Sequence, residues 1–104
     1  MNEKSSLTVG ADDRSADHDA VIAETTALLR QYPELQVALP LRAQAHIAKR
    51  DGAAALRDLT ELARARPKDA VPQFLLGRTY AMMGRVPEAQ AAFKEALKLD
   101  PNLQ

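Results

Sequence analysis

The chain has 104 residues, enough for one domain with a single core and too few for two. Its 14 Lys and Arg balance 14 Asp and Glu, and residues 1–30 hold six acidic against three basic side chains. No segment is therefore basic enough for nucleic acid to be the main partner. There is no cysteine, which excludes a disulfide framework and a thiolate metal site. No stretch approaches the ~18 apolar residues of a membrane span, and the opening "MNEKSSLTVGADDRSAD" lacks the apolar core of a secretory signal. These features point to a soluble, cytoplasmic protein without a membrane partner.

Residues 1–16 mix Ser, Gly, Asp and Lys around isolated Leu7 and Val9, have no period, and read as a disordered tail. From Asp17 the pattern turns helical, with Asp17 or Asp19 as cap and Val21, Leu28 and neighbouring alanines on one face. This first helix, within 17–32, stops before Pro33. A second runs from about Leu39 to Arg50, starting late because Pro40 lacks a backbone donor. Gly52 ends the connection, and a third helix follows from about Ala53 to Ala65. Asp69 caps the fourth, which tolerates Pro72 in its first turn and closes at Gly84. Pro87 opens the fifth, which ends at Asp100-Pro101.

Pro33, Pro67 and Pro101 are spaced 34 residues apart. Overlaying residues 36–69 on 70–103 places Val37 on Val71, Ala43 on Gly77, His46 on Tyr80, Ala55 on Ala89 and Leu59 on Phe93. The matches fall on small and apolar positions, where facing helices approach or bury surface. The same offset puts Leu28 on Leu62, so the first helix is the second half of a repeat. The expected architecture over 17–104 is all-α: an antiparallel helix-hairpin array, or α-solenoid, of five helices forming two and a half repeats.

Residues 70–103 resemble a tetratricopeptide repeat, carried by Leu76-Gly77, Tyr80, Gly84, Ala89, Phe93, Ala96 and Pro101 in step. Gly77 and Ala89 let the two helices touch, Tyr80 and Phe93 fill the space between them, and Pro101 sets the turn. Residues 36–69 resemble the family less closely, with His46 in the aromatic position and the turn glycine displaced by two. The resemblance implies a non-enzymatic interaction scaffold that takes a protein or peptide partner on a concave face lined by the first helices. That floor would come from Val37, Pro40, Leu41, Gln44, Ile47 and Ala48, then Val71, Phe74, Leu75, Arg78, Ala81 and Met82. Leu41, Gln44, Ile47, Phe74, Arg78 and Met82 are its candidate binding residues. The floor is largely apolar, which suits an amphipathic helix or apolar peptide with Arg78 free to meet one carboxylate.

No catalytic constellation is visible, and no cofactor or metal is expected. His18 reads as a solvated helix start and His46 as a packing residue, since a metal site needs three or four converging ligands. The serines, at positions 5, 6 and 15, lie in the tail. Arg57, Asp58, Glu61 and Arg64 read as a solvated face with surface pairs Arg57–Glu61 and Glu61–Arg64.

The end of the array raises a second expectation. With nothing packed beyond the fifth helix, Met83, Phe93, Leu97 and Leu99 would be partly uncovered. This open end would serve a homodimer, or a structural stacking role in a longer protein. A regulatory appendage of an enzyme is a third reading.

Overall fold

The computed structural model describes residues 15–103, which form five α-helices in sequence. These are α1 (Ser15–Gln31), α2 (Ala38–Ala48), α3 (Gly52–Ala65), α4 (Ala70–Met82) and α5 (Val86–Leu99). Each packs against the next, and α2 also touches α4. The expected tail lies outside the described residues except for Ser15 and Ala16, which are already helical. Asp17 therefore stands in the first turn of α1 rather than at its cap, where its charge still suits the positive end of the helix.

The three prolines mark one repeated turn. Leu35, Asp69 and Leu103 each donate a backbone N–H to the carbonyl three residues back, on Tyr32, Arg66 and Asp100, at 2.9, 3.1 and 3.1 Å. The proline follows the accepting residue each time, where its ring presets φ for the turn. Asp69 continues into a helix cap, accepting from the Val71 amide at 3.0 Å.

The turns inside the hairpins are also alike. Asp51 donates to the His46 carbonyl and Arg50 to that of Ile47; Arg85 and Gly84 repeat this on Tyr80 and Ala81. This double closure satisfies carbonyls left open at a helix end, and it needs one residue in the left-handed region. Gly84 takes it with φ 77°, and Arg50 takes the same place with φ 63°. Gly52 does not make the turn, contrary to expectation. It is the buried first residue of α3, and a Cβ there would lie 2.5 Å from the Met83 sulfur. Asp51 caps that helix, accepting from the Ala54 amide at 3.2 Å.

Pro40 is the third residue of α2, which begins at Ala38. The missing N–H thus falls among those without an intrahelical partner, and the helix tolerates it. Ala43, Leu59, Leu75, Leu76 and Ala92 form the buried core, with Ile47, Leu56, Phe74 and Tyr80 packed against it. Small residues dominate because the helices meet closely. A Cβ on Gly77 would sit 2.5 Å from the Phe93 ring, and Ala89 is likewise buried. Two buried hydroxyls bond within their own helices, Thr25 to the Val21 carbonyl and Thr79 to that of Leu75.

Candidate functional site

The helices α2 and α4 touch, and each carries exposed apolar side chains. Leu41 on α2 is 53% exposed, Val37 just before it 60%, and Val71 on α4 44%. Gln44, Arg78 and Ala81 are exposed between them, while Ile47 and Met82 are half-buried. No carboxylate stands among these residues, so Arg78 is the ionised group of the patch. Leu75 does not belong to it: at 3% exposure it lies in the core, because its side of α4 faces the hairpin interior.

Phe74 lies where α4 meets α5. Its ring packs on that of Phe93 with centroids 5.8 Å apart and a 53° tilt, an arrangement favoured by the ring quadrupoles. Together with Ala96, Leu97 and Leu103 the two rings line an apolar cleft of about 350 Å³ beside α5. In the preceding repeat the counterpart of Phe93 is Leu59, which is fully buried. Leu97 is 49% exposed and Leu99 half-buried. Met83 is elsewhere, against Gly52 at the junction of the two hairpins, so it is not part of this open end. It follows the last residue of α4, close to the start of α3, which carries it toward the preceding hairpin.

A third arrangement was not legible as such. Arg42 on α2 forks onto Asp58 of α3, with Nε to Oδ2 at 2.9 Å and Nη2 to Oδ1 at 2.7 Å. Its Nη1 donates to Thr26 Oγ1 on α1 at 3.0 Å. One guanidinium thus ties three helices together in the planar two-pronged geometry that suits a carboxylate. Asp58 is 5% exposed, so it is not a member of the solvated face. His46 Nε2 stands 4.0 Å from Asp58 Oδ2 and fills the place that Tyr80 has in the next repeat. The hydrogen bonds to Asp58 raise the Arg42 pKa above its ordinary value, against the opposing effect of burial. The overlay held the signal: Arg42 falls on Leu76 and Asp58 on Ala92, both buried.

The remaining ion pairs among the described residues are Lys49–Asp19, Arg66–Asp69, Arg85–Glu88 and Lys98–Glu95. The expected Arg57–Glu61 and Glu61–Arg64 pairs are not formed, since Arg57 and Glu61 extend into solvent and Asp58 turns inward. Arg85 also lies over the Tyr80 ring, 5.4 Å from its centroid. Among the described residues no group of three or more His, Cys, Asp or Glu could hold a metal ion. Nor is any helix among them long and apolar enough to cross a membrane.

An all-α stack of antiparallel helix pairs, with turns recurring at one interval, is a helical-repeat scaffold. Scaffolds of this kind generally present surfaces to other proteins. Residues 70–103, one third of the chain, match the family model for the tetratricopeptide repeat. No curated protein matches the chain.

Proposed function

We propose that the chain recruits a protein partner through the face shared by α2 and α4. The observation that supports this reading is the exposed apolar row Val37, Leu41 and Val71 beside one cation, Arg78. Apolar side chains grouped on one face mark interaction surfaces more often than chance exposure does. The partner segment is an extended peptide or amphipathic helix with apolar residues and one carboxylate for Arg78. Gln44 adds a neutral hydrogen-bonding group, and Ile47, Phe74 and Met82 line the deeper parts of the face.

The test is selection of ligands from a displayed peptide library, followed by titration of the selected peptides. Selected sequences should be apolar with an acidic residue, and Leu41→Asp with Val71→Asp should weaken them at least about tenfold without loss of helicity. Arg78→Glu should shift the preference to basic peptides. Selected peptides that bind the double variant as well as the original protein would remove this reading.

The cleft of Phe74, Phe93, Ala96, Leu97 and Leu103 favours a second reading, self-association through the α5 end. Sedimentation at micromolar and millimolar concentrations tests it. A concentration-dependent dimer abolished by Leu97→Glu supports it, and a monomer throughout rejects it.

A further inference from the structure

The Arg42–Asp58–Thr26 arrangement serves no contact in either proposed binding surface, yet it interrupts an otherwise apolar repeat. We propose that it is a specificity key: it reserves the side of the α2–α3 hairpin covered by α1 for a helix that offers a hydroxyl acceptor at the position of Thr26.

The repeat supplies the comparison. α1 packs on α2 and α3 packs on α4, so α1 and α3 play equivalent parts in successive layers. At the first layer these positions hold half-buried Arg42 and buried Asp58; at the second they hold buried Leu76 and Ala92. The covering helices carry Thr26 on α1, Thr60 on α3 and Lys94 on α5 at the same phase. Thr26 is half-buried and bonded to Arg42, whereas Thr60 is exposed, as expected where its layer offers no polar partner. Of these two threonines, Thr26 is the one whose hydroxyl meets a guanidinium.

The chemistry is selective in both directions. Asp58 occupies two of the Arg42 nitrogens, and the third donates to Thr26, so all three have protein partners only when α1 is seated. An apolar residue in place of Thr26 leaves a half-buried donor unmet. A lysine there, such as α5 carries at Lys94, offers donors and no acceptor, so the Arg42 Nη1 bond is lost and two donors face each other. A second copy's α5 is thereby disfavoured on the seat of α1, which would otherwise extend the stack head to tail without closing.

The test is hydrogen exchange of the full chain, comparing α1 amides with those of α4 and α5 in the same sample. Thr26→Lys should accelerate α1 exchange by at least about tenfold relative to α4 and α5. In a background of Arg42→Leu with Asp58→Ala, which copies the second layer, Thr26→Lys should cause no such acceleration. Equal acceleration in both backgrounds would show a steric effect and overturn the proposal, as would no acceleration in either. If release of α1 unfolds the whole stack, the thermal midpoint is read with the same comparison. If the paired background does not fold, Thr26→Val decides: α1 exchange should rise about fivefold, and unchanged exchange overturns the key.

Discussion

Gly77 and Phe93 meet so closely that a Cβ on the glycine would lie 2.5 Å from two ring carbons. The aromatic ring packs against Phe74 and the α4 backbone at Gly77, so a Cβ there must displace it. Gly77→Ala gains about 1 kcal/mol of helix propensity but costs about 1–3 kcal/mol of overpacking. The expected result is net destabilisation of up to about 2 kcal/mol, seen as a lower midpoint in thermal unfolding followed by circular dichroism. Adding Phe93→Leu should recover part of that loss, because the smaller side chain vacates the space a Cβ needs.

Gly52 gives the opposite balance despite an equally short contact. Its neighbour is the Met83 side chain, a flexible thioether that is partly exposed and can swing aside. Gly52→Ala should therefore change stability by less than about 1 kcal/mol in either direction. A loss larger than that of Gly77→Ala would mean that Met83 is held as rigidly as Phe93.

The paired left-handed residues predict two changes of opposite sign. Arg50 holds φ 63° with a side chain that disfavours it by about 1–2 kcal/mol. Arg50→Gly removes that strain and loses about 0.4–1 kcal/mol through the freer unfolded chain, so a gain of about 0.5–1 kcal/mol is expected. Gly84→Ala should lose a similar amount, with no packing clash because nothing lies within 4 Å of its Cβ position. Denaturant midpoints of both variants check the two signs at once.

Breaking the fork between Arg42 and Asp58 should cost far more than replacing it. Asp58→Ala leaves a guanidinium that is 20% exposed without its carboxylate, with an expected loss of about 3 kcal/mol. Arg42→Leu combined with Asp58→Ala should restore stability to within about 1 kcal/mol of the original or above it, as the apolar pair of the next repeat suggests. The pH dependence follows from the direction of the Arg42 shift. Its raised folded pKa means that the contribution is fully present below the unfolded pKa of arginine and fades only as pH rises beyond it. Protonation of Arg42 should thus add no slope to stability between about pH 5 and about pH 9.

The periodic prolines, the helix spacing and the small-residue positions were readable because each depends on local chain geometry. Pro33, Pro67 and Pro101 act on their own turns, and Gly84 acts on its own φ. Misreadings arose where two distant segments had to be known together. Gly52 looked like a turn residue until Met83, which is 31 positions later, appeared against it. Asp58 looked solvated because its neighbours Arg57 and Glu61 are; only the approach of α2 shows that it faces inward.

By itself, the amino-acid order determined how many helices form, where they end and that they recur in one phase, since capping, φ preference and apolar spacing are properties of consecutive residues. The tertiary structure alone decided which charges are buried, where Met83 lies and that Phe74 packs on Phe93. Those outcomes depend on which helix faces are pressed together, and burial changes the energy of a charge or a ring only once a neighbour has displaced the water.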